Sequence, residues 1–303
     1  MVNATRPRPS TATHPAVTGY LTRYGGETRK TRDAALRRYL AWCDTEGIDF
    51  LAATRVDIER YSHFLQETEH LKASTVYGYL SALSSFYKVA LVDQWVTADP
   101  TVLVRRPRVY YDDNRLTGLT RHDLEKLILH ADSRSPKHAA LVVLLGVLGL
   151  RVSEACNVRI EDFADYDRGH RVLRIVGKGG KPATIPLPPL VFRILDRAAG
   201  ERTTGPLLTT RTGRKPTRHD AYRWLEVLGR QCGLGHLHPH QLRHASVTAA
   251  LDAGASVRDV QVFGRWADVR MVERYDRNRI NLDRHAAYLV GAHFSGIADK
   301  LAA

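Results

Sequence analysis

The longest uninterrupted apolar run in the chain, Ala139 to Leu150, ends directly on a charge, Arg151. Such a run is too short to span a bilayer and too apolar for a surface, so it reads as a buried helix. Gly149-Leu150 then breaks the run, and another helix begins at Arg151. An arginine at the end of a core helix needs a partner, because an unpaired buried charge is costly. Glu154, three positions on, is the partner that structure alone would supply. A fold that buries this helix must therefore also find a use for a cation at its end.

The rest of the chain offers enough material for two cores: 303 residues, 44% of them apolar. Residues 1–16 read as a flexible tail, with Arg6, Arg8, prolines and hydroxyls but no apolar segment of the secretory kind. Residues 17–104 read as a helical domain. Helices are expected over Thr28 to Cys43, over Val56 to Gln66 with Thr54 or Asp57 as cap, and over Ser74 to Leu91 with Val76, Leu80, Leu83 and Tyr87 inward. Asp99-Pro100 ends this block, and residues 105–116, carrying Arg105, Arg106 and Arg108, read as a basic linker. A second domain, 117–303, opens with Thr120 as a helix cap and is helical apart from a hairpin. That hairpin pairs Val172 to Val176 with Ala183 to Leu187 across Gly177-Lys178-Gly179-Gly180-Lys181. The fold class is mainly α with a small β-sheet.

Charge narrows the partner. Lys and Arg number 45 against 32 Asp and Glu, a formal +13 with a pI near 9.9, spread along the chain as on a surface that faces a polyanion. Nucleic acid fits that surface, although an arginine-rich composition by itself would give the same balance. Cys43, Cys156 and Cys232 are odd in number, far apart and without metal spacing. With no membrane span in view, a reducing cytoplasm is the expected location.

The chemistry concentrates between residues 240 and 275. His240 and Arg243 stand three apart, on one face of a helix, followed by Gly264-Arg265-Trp266 and a lone Tyr275 among charges. A guanidinium holds phosphate oxygens by a planar fork, and an imidazole moves a proton near neutral pH, so the set suits phosphoryl transfer without a metal. His240 and His244 have the i, i+4 spacing of a zinc helix, but Gln241 stands where a zinc protease needs glutamate, and His244 reads better as a packing residue. No metal and no cofactor are expected; no GxxxxGK[ST] loop is present.

Taken in order, Gly149-Leu150-Arg151-Val152-Ser153-Glu154, Gly177-Lys178-Gly179, His238-Pro239-His240-Gln241-Leu242-Arg243-His244, Gly264-Arg265-Trp266 and Tyr275 resemble the tyrosine recombinases, or phage-type integrases, near their Xer and simple-integrase branch. The resemblance covers nearly the whole chain, since Ser74 to Pro100 is similar to the end of the family's SAM-like core-binding domain. It implies a site-specific recombinase acting through a covalent 3′-phosphotyrosine and a four-way junction. In that scheme Arg151 and Arg243 clamp the scissile phosphate, His240 assists proton transfer, Lys178 protonates the leaving 5′ oxygen and Tyr275 attacks phosphorus. Many members carry histidine where this chain has Trp266, which can donate one hydrogen bond but cannot exchange a proton. Trp266 is therefore expected to stabilise and pack.

The implied partners are double-stranded DNA, three further copies of the chain on two DNA sites, and an accessory or paired recombinase. A type IB topoisomerase-like enzyme, a telomere resolvase and an inactive DNA-binding protein on the same fold are the alternatives. Arg284 to Leu301, with Leu289, Phe294 and Ile297 at helical spacing, reads as a terminal helix that the family passes to a neighbouring protomer.

Overall fold

The computed structural model describes residues 14–109, 119–276 and 286–293, with the side chains of Lys178, Arg274, Asp276, Ala286 and Leu289 left aside. The chain divides into two compact units, Met1–Asp112 and Asp113–Ala303.

The first unit is helical: α1 Pro15–Thr22, α2 Gly26–Glu46, α3 Arg55–His63 and α4 Ala73–Val92. Its boundaries follow local chemistry. Gly47 takes the left-handed conformation that ends α2 (φ 67°), as a residue without Cβ does most easily. Thr54 and Asp57 both cap α3: the Asp57 carboxylate accepts from Thr54 N–H at 2.9 Å, and Thr54 Oγ1 from Asp57 N–H at 3.4 Å. α3 passes into a π-helical turn, Phe64–Thr68, which turns the chain where the sequence had suggested one helix to Gln66. α1 was not anticipated; it starts on Pro15, inside the segment read as a tail, and buries Ala16, Val17, Tyr20 and Leu21. The core is aromatic, with Tyr20, Tyr39, Tyr61 and Tyr87 fully buried.

The second unit is built around α6, Pro136–Gly146, every residue of which from Ala139 onward is buried. α5 (Arg121–Arg134), α8 (Pro189–Ala199) and α10 (Pro239–Asp252) pack on it. Thr120 and Asp123 form a capping box on α5. Gly146 allows the close approach of α5, since a Cβ there would lie 2.6 Å from a Leu124 methyl. The helix ends earlier than the apolar run does. Leu148 N–H and Leu150 N–H return to the carbonyls of Val143 and Leu144, closing a turn through Gly149 at φ +60°. A side chain at Gly149 would be strained at that φ and would also meet Ser246 Oγ at 2.7 Å. The short helix α7, Val152–Asn157, then starts with Arg151 as its cap rather than as its first residue.

The hairpin is present: β2 His170–Val176 pairs antiparallel with β3 Pro182–Pro186, with Leu173 opposite Ile185 and Val176 opposite Pro182. A short β1, Tyr166–Asp167, completes a three-stranded sheet in the order β1-β2-β3. Helices α9 (Arg218–Gln231), α11 (Val257–Gly264), α12 (Arg270–Asp276) and α13 (Ala286–His293) complete the described elements. Within the span expected as a terminal helix, Arg284 to Leu301, residues Ala286–His293 are helical, while Phe294, Ile297 and Leu301 lie outside the described residues. Among the described residues no helix is long and apolar enough to cross a membrane.

Candidate active site

The turn that joins α6 to α7 delivers Arg151, and its partner is the one proposed from spacing. Arg151 Nη1 donates to Glu154 Oε1 at 2.8 Å, and Arg151 N–H donates to Glu154 Oε2 at 2.8 Å, so the carboxylate both caps α7 and fixes the guanidinium. The Arg151 side chain keeps 32% of its surface exposed, whereas that of Glu154 keeps 3%. Burial alone would raise the Glu154 pKa; the Arg151 N–H and the charges of Arg265 and Arg151 outweigh it and hold the carboxyl below the usual carboxylate value.

Helix α10 brings in the next group. His238 caps it, its N–H donating to Gln241 Oε1 at 2.9 Å, which gives Gln241 a structural task and Pro239 the first helical position. His240 lies exposed on the first turn while Arg243, three positions on, is buried. Both stand on α10 at the expected spacing, His240 toward solvent and Arg243 inward, and the Arg243 charge is felt at His240. Partial withdrawal from water and the Arg243 charge keep the His240 pKa below its ordinary value, so that at neutral pH the ring is a proton acceptor.

Arg243 is anchored from below. Its Nη1 donates to the Gly149 carbonyl and its Nη2 to the Gly264 carbonyl at 2.5 Å, and its guanidinium carbon sits 5.3 Å from the Trp266 ring centroid. The turn after α6 and the end of α11 are thereby tied to one side chain. Burial, then the charges of Arg151 and Arg265, lower the Arg243 pKa to about 10, which leaves it protonated at neutral pH.

Gly264-Arg265-Trp266 is compact because Trp266 folds back: a Cβ on Gly264 would lie 2.3 Å from the indole. Trp266 stacks on Tyr275 with ring centroids 5.4 Å apart and planes at 30°, and His244 lies on Tyr275 at 4.4 Å. Tyr275, on α12, is 8% exposed in a small core with Val247, Leu251, Val260 and Val272. The packing role expected of Trp266 and of His244 is therefore present.

Lys178 opens the short turn Lys178–Gly180 between β2 and β3, where Gly179 and Gly180 take φ of 79° and 77°. Its side chain lies outside the described residues. Arg265 is the residue that sequence reasoning passed over. Its Nη2 donates to Glu154 Oε2 at 2.8 Å, a pairing across 111 positions that no local pattern announces. Among the described residues no group of three or more His, Cys, Asp or Glu is placed to hold a metal ion.

Two guanidiniums, those of Arg151 and Arg265, meet one buried carboxylate, and a third, that of Arg243, lies beside them, which leaves an excess of positive charge beside an aromatic cluster that contains a tyrosine. Such a surface binds a phosphodiester and stabilises the charge that builds on it. The model of the phage integrase family matches residues 118–281, and that of the phage integrase N-terminal SAM-like domain matches residues 18–97. Tyrosine recombinase XerA of Pyrococcus furiosus is 34% identical over 165 residues, which are 53% of this chain and 57% of that protein. Tyrosine recombinase XerD of Pseudomonas aeruginosa is 27% identical over 284 residues, 88% of this chain and 93% of that one. In fold, the chain resembles a lambda integrase fragment (75-356) bound as a dimer to a COC' core site, at TM-score 0.70 and 16% identity over 88% of this chain and 96% of that one. It also resembles the XerH site-specific recombinase in a post-cleavage complex with a palindromic difH substrate, at TM-score 0.68 and 19% identity over 87% and 80%. This chain belongs to the phage integrase family, the tyrosine recombinases, enzymes that cleave and rejoin DNA.

Proposed function

We propose that the chain recombines double-stranded DNA at specific sites, with Tyr275 as nucleophile and Arg151, Arg243, His240, Lys178 and Trp266 around the scissile phosphate. The observation that carries this reading is the convergence of Arg151, Arg243, Arg265 and Glu154 next to the Tyr275, Trp266 and His244 cluster. The phenolic oxygen of Tyr275 forms a bond to phosphorus as the bond to the 5′ oxygen breaks. The phenolic proton passes to His240 or water, and Lys178 supplies the proton that the leaving 5′ oxygen takes up. Arg151 and Arg243 hold the nonbridging oxygens, where negative charge grows in the transition state. The 3′-phosphotyrosine conserves the bond energy, so that a 5′ hydroxyl of a second strand restores the phosphodiester without nucleotide.

In this scheme the helical unit, residues 17–104, and the basic linker, 105–116, grip the duplex from outside the site. Four copies act on two DNA sites in the cytoplasm, on the nucleoid, with the terminal helix passed between copies. An accessory or paired recombinase completes the assembly.

The test uses nicked suicide duplexes carrying randomised half-sites, from which covalent protein–DNA adducts are recovered. The wild-type chain is expected to enrich one sequence family. Tyr275→Phe should bind the enriched duplex with near-normal affinity and yield no adduct. An adduct that persists in that variant would place the nucleophile elsewhere; wild-type chain that enriches nothing, while binding DNA, would make it an inactive DNA-binding protein.

A further inference from the structure

Arg265 is a non-glycine residue in the left-handed region, at φ 52° and ψ 47°, at the end of α11. L side chains avoid this conformation, so it persists where the surroundings hold it. Its side chain is what is held. The guanidinium is 15% exposed; Nη2 reaches Glu154 Oε2 at 2.8 Å and the Gly149 carbonyl at 3.4 Å, while Nη1 lies 3.5 Å from the Phe263 carbonyl. Glu154 is thereby shared. One oxygen takes Arg151 Nη1, and the other takes Arg151 N–H and Arg265.

A carboxylate with only Arg151 for a partner would spend its whole charge there and favour the two-point fork that arginine and carboxylate form. Both terminal nitrogens of Arg151 would then face Glu154 and away from DNA. With Arg265 on the second oxygen, Arg151 is fixed through one nitrogen and keeps the rest of its donors, on its exposed side, for a phosphate. We propose that Arg265 is a positioning residue for the cleavage reaction, which divides the charge of Glu154 and so holds Arg151 open toward the scissile phosphate. The inference rests on the role of Arg151 given above. It assigns Arg265 no contact with DNA.

The probe is the nicked duplex that the wild-type chain captures from the randomised pool, and wild-type capture tests the earlier reading by itself. Arg265→Gly removes the guanidinium and relieves the strained φ, so the fold should persist; circular dichroism below the melting temperature of every variant checks this. Single-turnover adduct formation at saturating duplex is expected to fall by on the order of ten- to a hundredfold, the scale that follows from a misplaced reacting group. The dissociation constant of the duplex should stay within a few-fold. Adding Glu154→Gln to Arg265→Gly should restore a large part of the rate, because the amide no longer competes for Arg151. Arg265→Lys, which keeps the charge, should fall between wild type and Arg265→Gly, and it carries the test if the glycine variant unfolds. A rate unchanged in Arg265→Gly would overturn the proposal, as would a loss that Glu154→Gln leaves untouched. Without DNA, thermal denaturation of the two single variants and the double variant should show coupling between positions 265 and 154; additive effects would overturn it as well.

Discussion

The two units bury tyrosine in opposite ways. In the helical unit Tyr39 and Tyr87 share a hydrogen bond of 2.7 Å, and Tyr87 donates to the Phe50 carbonyl at 2.7 Å, all within an apolar core. Burial pushes the pKa of Tyr20 up to about 12 and those of Tyr39, Tyr61 and Tyr87 further in the same direction. These phenols remain neutral core residues, and those of Tyr39 and Tyr87 are satisfied by the two hydrogen bonds. Tyr275 is also buried, yet it lies beside an indole and an imidazole at the edge of a cluster of guanidiniums. A phenol ordinarily ionises near pH 10, so reaction at neutral pH calls for a cationic field. On the role proposed for Tyr275, the surroundings, and not the burial, separate a structural tyrosine from a reactive one.

The largest effect that comparison predicts is a difference in kind. Tyr275→Phe should abolish adduct formation with little change in thermal stability, whereas Tyr87→Phe should leave the single-turnover rate within a few-fold. An adduct lost in Tyr87→Phe at a temperature where that variant is folded would mean that the helical core takes part in the chemistry.

Next in size comes the cationic field. Arg243→Ala should slow adduct formation by on the order of a hundredfold or more, the loss seen when a single oxyanion donor is removed. Arg243→Lys should recover little, because one ammonium cannot reach both the Gly149 and Gly264 carbonyls and still meet a phosphate. A rate in Arg243→Lys within a few-fold of wild type would reduce the side chain to a point charge.

A smaller effect belongs to the helical core. Tyr87→Phe removes the donor to the Phe50 carbonyl and the partner of Tyr39, and should destabilise by about 1–3 kcal/mol, the scale for buried polar groups left unsatisfied. Denaturant unfolding measures it. A neutral result would mean that water or a shift of Tyr39 replaces the lost bond.

The sequence carried what is local. The caps at Thr54 and Thr120, the helical stripes and the existence of the hairpin follow from residues three, four or two positions apart, and Glu154 was found for Arg151 by the same reasoning; the hairpin register, Val172 opposite Pro186, was not read. The order of the motifs, and not their periodicity, supplied Tyr275. What escaped was contact between distant positions. The Arg265 pairing with Glu154 spans 111 residues, and nothing in Gly264-Arg265-Trp266 distinguishes a solvated arginine from a buried one. The left-handed backbone at Arg265 was equally hidden, since the residue type argues against it. α1 escaped for a different reason: it is short, and its apolar residues form no long stripe.

The smallest predicted effect concerns acid, which should act on the second unit through its withdrawn imidazoles. His138 lies edge-on to Trp224 at 5.3 Å with Nδ1 2.7 Å from Ser135 Oγ, beside the cations Lys137 and Arg134. Burial first, then those two charges, lower its pKa to about 4. A histidine whose folded pKa lies below the unfolded value of about 6.5 binds its proton more readily in the unfolded chain. Stability is therefore whole above pH 6.5 and is lost as the pH falls toward 4. Because the ring is only partly withdrawn from water, solvent screening limits the loss between pH 7 and 5 to about 1 kcal/mol or less. His138→Gln should flatten that slope by this amount, measured as the change in urea midpoint between the two pH values. Hydrogen exchange should show the acid-induced loss in α5 and α6 while α2 and α4 keep their protection. Equal loss in both pairs of helices would erase the contrast between the two units in their response to acid.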